Sequence, residues 1–191
     1  METAAIPGPQ PAEFPAVSGQ PHSTAIEKRK AMSPYRFMLV AKQPFFKGLN
    51  AQQLQLLTDM AIEIKFQPGE VIFQEGSPAN RFYVILEGKV VLESKLKPPG
   101  MVAIQTLGPG DELGWSWLFR SSNLLLTARA LEPTRTIFFY GTQLRKQCEQ
   151  DHELGYQLMH RIAEVATQFV RAMEQCLMDC TLTTYGDGRP K

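Results

Sequence analysis

Phe82-Tyr83-Val84-Ile85-Leu86-Glu87-Gly88-Lys89-Val90-Val91-Leu92 is the stretch that decides the architecture. Phe82, Val84 and Leu86 alternate with Tyr83 and Ile85, so this run reads as a strand buried on at least one face. Glu87-Gly88-Lys89 turns it into a second strand, Val90-Val91-Leu92. Working upstream, Ile64, Phe66 and then Val71-Ile72-Phe73 read as short strands. They are joined at Gln67-Pro68-Gly69-Glu70, where Pro presets φ and Gly accepts a positive φ. Gln74-Glu75-Gly76-Ser77-Pro78 is another turn. Downstream, Pro98-Pro99-Gly100 precedes Val102 to Leu107, and Gly108-Pro109-Gly110-Asp111 follows it. Ala128 to Leu131 and Thr136 to Tyr140 are split by Glu132-Pro133. About eight short strands at this spacing predict a barrel, roll or sandwich.

Helices flank the strands. Tyr35 to Ala41 has helical spacing, and Pro44-Phe45-Phe46-Lys47-Gly48-Leu49 breaks it. Asn50 is an N-cap candidate for a helix to about Ala61, with Leu54, Leu57 and Met60 on one stripe. Leu144 to Asp151 reads as a short helix and Leu154 to about Leu182 as a long one. The long helix carries Leu158, Ile162, Val165, Phe169, Ala172 and Cys176 in alternating steps of four and three. That heptad spacing predicts a packed seam, assigned here to a homodimer interface. His160-Arg161 lies beside it. The chain thus divides into an arm (1–33), a roll with N-terminal helices (34–143), C-terminal helices (144–183) and a tail (184–191). Five prolines before residue 22 and little apolar content predict a disordered arm, with Lys28-Arg29-Lys30 as a solvated hinge.

The bulk numbers exclude several classes. With 191 residues, 43% hydrophobic content and a net charge of +1, there is a core but no basic footprint for nucleic acid. Cys148, Cys176 and Cys180 are odd in number and clustered late, which fits reduced thiols rather than a disulfide framework. No apolar run approaches a membrane span, and Met1 to Pro21 does not read as a secretory signal. A cytoplasmic protein is expected.

Several segments together resemble the cyclic nucleotide-binding domains. Pro44 to Leu49 resembles their opening segment, Pro68 to Gly76 their opening hairpin, Phe82 to Val90 the next hairpin, and Leu107-Gly108-Pro109-Gly110-Asp111 the turn before their phosphate-binding cassette. The resemblance covers about residues 40–180. It implies a mainly β fold: a double-stranded β-helix, or jelly-roll-like β-roll, of about eight strands plus a long C-terminal helix, as in the catabolite activator. In that group the long helix commonly forms the dimer interface and a helix-turn-helix domain follows. Here about ten residues follow the long helix, too few for such a unit. Direct DNA binding is therefore not expected.

The family's ligand implies charge-complementary anchors. An anion buried in a roll costs several kcal/mol unless it is paired and hydrogen-bonded. In the family one Arg pairs the phosphate and a Glu accepts from the ribose hydroxyl. This chain has Leu113-Gly114-Trp115-Ser116-Trp117-Leu118 at the cassette. Trp115 stands where the Glu is expected, and Leu124 or Leu125 where the Arg is expected. Trp115 has only an N–H to donate. Arg120 or Arg129 could reach a phosphate from elsewhere, Ser116 could hydrogen-bond a ligand, and Gly114 to Leu118 offers backbone donors. Arg129 could equally satisfy a core carboxylate. Of the two tryptophans, one could plug the pocket while the other packs on the roll. Alternatively they hold a planar or apolar ligand against Leu124, Leu125 and Leu126.

The candidate ligand-binding set is therefore Gly114, Trp115, Ser116, Trp117, Leu118, Leu124, Leu125 and Arg129. No cofactor is indicated beyond a cyclic nucleotide, and no metal or catalytic set is seen. Cys176 with Cys180 and Cys148 with His152 are i,i+4 pairs on helices, without the partners a metal or nucleophile needs. Asp111-Glu112 falls in an expected turn. The leading reading is a stand-alone regulatory or interaction module, not an enzyme, that does not hold cyclic nucleotide in the usual mode and works through a protein partner. The alternatives are a cyclic AMP or cyclic GMP sensor with relocated anchors, and an enzyme that uses the same pocket.

Overall fold

The computed structural model describes residues 34–94, 101–119 and 123–185, with side chains to residue 178. The expected arm, Lys28-Arg29-Lys30, Arg120, the thiol of Cys180 and the end of the tail lie outside the described residues.

The chain begins with α1 (Pro34–Ala41), a 3-10 turn (Pro44–Phe46) and α2 (Ala51–Met60). Asn50 caps α2 as expected. Its side chain accepts from the Gln53 backbone N–H at 2.9 Å, and the Gln53 side chain accepts from the Asn50 N–H at 3.2 Å. This reciprocal box satisfies two donors that a helix start otherwise leaves unpaired.

Eight strands follow: β1 (Ile62–Phe66), β2 (Val71–Phe73), β3 (Arg81–Glu87), β4 (Val90–Ser94), β5 (Val102–Leu107), β6 (Glu112–Leu113), β7 (Thr127–Ala130) and β8 (Thr134–Tyr140). They form two four-stranded sheets, ordered β1-β8-β3-β6 and β2-β7-β4-β5, and every pairing is antiparallel. This is the expected roll. One local expectation is corrected. Glu112 is not in a turn but pairs with Val84 in β6. The turn proper is Gly108 to Asp111, where the Gly108 N–H donates to the Asp111 carboxylate at 2.8 Å.

β3 explains why the opening run reads so strongly. Both of its faces are buried, and they face different cores. Tyr83 and Ile85 point into the roll with Phe66, Ile72, Leu113, Ala128 and Phe138. Phe82 and Val84 point outward and join Phe45, Phe46, Leu57, Trp117 and Phe139 under the helices. Burying each large apolar side chain contributes about 1.5–3 kcal/mol, so β3 ties the helical layer to the roll.

The C-terminal helices are α3 (Gly141–Gln150) and α4 (His152–Tyr185). Asp151 stands between them. Its carboxylate caps α4 by accepting from the Leu154 N–H and takes a second bond from Gln53, which holds it below the usual carboxylate range.

Part of the expected dimer stripe packs against the chain's own core. Leu158 and Ile162 are 1% and 3% exposed and belong to the chain's own outer core, with Val165 packed against it. Phe169 meets the roll through Trp115. Ala172 and Cys176 continue the same stripe and are half-buried. Heptad spacing reports a packed helix face but not what packs on it, and here much of that face is covered by the chain's own roll. The adjacent stripe differs. Tyr156, Met159, Ala163, Ala166, Val170, Met173 and Leu177 also step by three and four. Each of the last six is one residue beyond a member of the first stripe, or about 100° further round the helix. Tyr156, Met159, Val170 and Leu177 are each more than half exposed.

Candidate functional site

The site forms where β5 gives way to β6 and the chain crosses between sheets. Gly110 donates its N–H to the Ile85 carbonyl, and Asp111 accepts at its carbonyl from the Ile85 N–H, which fixes the turn on β3. Gly114 follows with φ at 71°. A Cβ at Gly114 would stand 2.6 Å from the Arg81 carbonyl oxygen. Only glycine therefore serves there, on grounds both of conformation and of space.

From Gly114 the chain enters a single 3-10 turn, Trp115–Leu118. A turn this tight sends successive side chains in different directions. Trp117 points inward, is 0% exposed, and packs against Phe82 with ring centroids 6.0 Å apart. Arg145 from α3 donates to the Trp117 carbonyl. Trp115 points the other way and stays half-buried. It meets Phe119 at 6.5 Å and Phe169 of α4 at 6.0 Å, both edge-on.

Beside Trp115 lies a cavity of about 70 Å³. Its floor is Phe73, Leu92, Leu107 and Leu113; Leu124, Leu125 and Leu126 form one wall; Val165, Gln168 and Phe169 of α4 close it. Gln105, Asp111, Glu112, Gly114 and Ser116 supply its polar groups. Among the described residues no Lys, Arg or His lines it. Its charged residues are two acids. Burial pushes the Glu112 carboxyl up to about 7, and the neighbouring charge of Asp111 adds to the rise.

The structure brings together five of the expected ligand-binding residues: Gly114, Trp115, Ser116, Leu124 and Leu125. Three others are placed elsewhere. Trp117 is in the outer core, as described. Leu118 lines a separate depression with Cys148, Tyr156 and Met159. Arg129 donates to Glu93 at 2.9 Å and to the Gly69 carbonyl at 2.9 Å. The reason is strand alternation: Ala128 and Ala130 point into the roll at 0% exposure, so Arg129 points out of it. Sequence reasoning missed Glu112, Gln105 and Gln168, which no local motif marks. It placed Val165 and Phe169 on a dimer seam, although the apolar period already marked them as packed.

Cys148 is an inert packing thiol, with burial foremost pushing its pKa up to about 11. Among the described residues no cluster of three or more potential ligands could hold a metal ion. No described helix is long and apolar enough to cross a membrane.

Comparison with known proteins agrees with this geometry. The sequence profile of the cyclic nucleotide-binding domain matches residues 63–151, from β1 through α3. The CRP-like cAMP-activated global transcriptional regulator of Mycobacterium tuberculosis is 26% identical over 126 residues, 65% of this chain and 56% of that protein. The chain thus spans about half the length of that relative. The crystal structure of a chain described as a cyclic nucleotide-binding protein from Geobacter metallireducens GS-15 is 30% identical, with a TM-score of 0.62 over 73% of this chain and 98% of that one. The regulatory subunit of a cAMP-independent protein kinase A from Trypanosoma cruzi, bound to guanosine, shares the fold at 19% identity, with a TM-score of 0.58 over 88% of this chain and 55% of that one. From the roll, its cassette turn and these relatives together, the chain belongs to the cyclic nucleotide-binding domain family.

Proposed function

We propose that this chain is a non-catalytic regulatory module of the cytoplasm, whose roll does not hold a cyclic nucleotide by the family's phosphate and ribose anchors. One observation carries the reading: among the described residues, acids and no cations line the cavity. A cyclic phosphodiester there would face Asp111 and Glu112 with no guanidinium to pair it. At this depth like charges disfavour one another and desolvation is not offset. Arg129, the described arginine nearest in sequence to the expected anchor, is committed to Glu93. The guanosine-bound relative supports a phosphate-free ligand within this fold.

The output would run through α4, because Val165, Gln168 and Phe169 close the cavity on one side of the helix while the exposed stripe runs along the next. That stripe is proposed as the dimer seam, in place of the one assigned from sequence. A partner protein would read the dimer. Calorimetric titration of the full chain with cyclic AMP and cyclic GMP tests the reading. No binding below millimolar concentration is expected. Micromolar binding of either would overturn it and restore the sensor with relocated anchors.

A further inference from the structure

The exposed stripe of α4 is uneven in size. Met159 is followed by two small residues, Ala163 and Ala166, and these by Val170, Met173 and Leu177. Two such helices laid parallel set each position against itself. The alanines then form two successive narrow layers between bulky ones, and side chains across that gap lose contact. Laid antiparallel, with Ala166 opposite Val170 of a second copy, the helices also set Ala163 opposite Met173 and Met159 opposite Leu177. Each alanine now faces a larger side chain. Layers of even width pack to the density of a protein interior.

The charges beside the stripe point the same way. One residue beyond its members lie His160, Glu164, Thr167, Arg171 and Glu174, all exposed. His160 adds a positive charge when protonated and lies 3.5 Å from Glu164 of its own helix. Read in reverse, this row carries opposite signs at matching places. In the same antiparallel register, Arg171 comes within about 2 Å of the level of the second copy's Glu164, and Glu174 within about 3 Å of that of His160. Both helices also turn this flank to the same side of the seam. In a parallel pair it would instead face the flank of Ile162 and Phe169, which the chain's own core and roll occupy. Exposed ion pairs add little affinity, but they select between orientations.

We infer that α4 pairs antiparallel with α4 of a second copy, with Ala166 of each opposite Val170 of the other. This rests on the dimer seam proposed above and adds its orientation and register. Leu154, Leu158 and Ile162 hold the first half of α4 in the chain's own core, so the two rolls lie towards opposite ends of the pair. The centre of the pair is level with Gln168. Val165, Gln168 and Phe169, which close the cavity, therefore stand at the middle of the seam. The pairing brings the two cavities together there.

The test reads orientation and dimerisation separately. A spin label is placed at Tyr156→Cys in the full chain with its native cysteines replaced by alanine. Pulsed electron resonance then gives the distance between labels in the dimer. Tyr156 is 63% exposed, so the label stays out of the core. The antiparallel register separates the two positions by about 24 residues of helical rise, or roughly 36 Å. A parallel pair sets them side by side, about 10 Å apart. A second measurement keeps the native cysteines and compares dimer dissociation in sedimentation for Glu164→Arg, Arg171→Glu and the double variant. Each single change is expected to loosen the dimer about threefold to tenfold. The double variant is expected to return to within about twofold of the native protein. Labels side by side, or a double variant in which the two losses simply add, would overturn the antiparallel pairing and leave the seam standing. A native chain that stays monomeric at all concentrations would remove the seam, and this inference with it.

Discussion

The indole of Trp115 meets the ring of Phe169 edge-on, with centroids 6.0 Å apart and planes at 61°. This contact joins the cassette turn to the long helix at the mouth of the cavity.

Removing that contact tests whether the helix closes the cavity. Phe169→Ala is expected to cost roughly 1–2 kcal/mol, since the ring is half-buried and the aromatic pair adds to its area burial. Trp115 emission should shift to the red as water reaches the indole. Unchanged emission in a folded variant would show that Phe169 does not cover Trp115 in solution.

Trp117 should behave differently although it lies two residues away. It is wholly buried and packs on Phe82. Trp117→Ala is expected to lower unfolding stability by about 3–5 kcal/mol in urea titrations, as a large cavity in a rigid core does. A loss below about 1 kcal/mol would mean that the outer core tolerates the hole by collapse.

The exposed stripe predicts an oligomer. Val170→Glu should convert a dimer to a monomer in sedimentation experiments while circular dichroism of the roll stays unchanged, because Val170 is 54% exposed. Ile162→Glu should instead unfold the domain, because it puts a charge into the core. A native protein that sediments as a monomer at all concentrations would refute the seam. A Val170→Glu dimer as tight as the native one would refute its location.

Glu112 predicts the pH dependence of stability. Its folded value of about 7 lies above its ordinary 4.5. Between those values the folded state keeps a proton that the unfolded chain has released. The contribution is therefore complete below about 4.5 and lost as pH rises through about 7. From about pH 5 to about pH 8 the native protein should lose roughly 1–2 kcal/mol more than Glu112→Gln, allowing for solvent screening of a partly exposed group. Asp151 acts in the opposite direction at acid pH, with its carboxyl held below the usual range, but it is common to both proteins. A steeper loss in Glu112→Gln would reverse the assignment.

The strands, the turns and the Asn50 cap were legible because each is written in neighbouring residues. Alternation in Phe82 to Leu86 needs only the pleat, and Pro68-Gly69 needs only local φ preferences. Even there the reading was incomplete. The alternation asks for at least one buried face of β3, and the second becomes visible only once helices lie on it. Glu112 of β6 reads as part of a turn because a two-residue strand carries no period.

Residue order alone specifies a β-roll with a long amphipathic helix, since periodicity and turn chemistry are properties of the chain. The residue order also sets Trp115 and Trp117 just after Gly114. Long-range packing sets which stripe of α4 faces the roll, makes Trp117 core while Trp115 lines the cavity, and commits Arg129 to Glu93. It also placed Glu112 at the cavity. A period or a residue type states that a side chain needs a partner, whereas the identity of that partner depends on residues dozens of positions away, brought near only by folding.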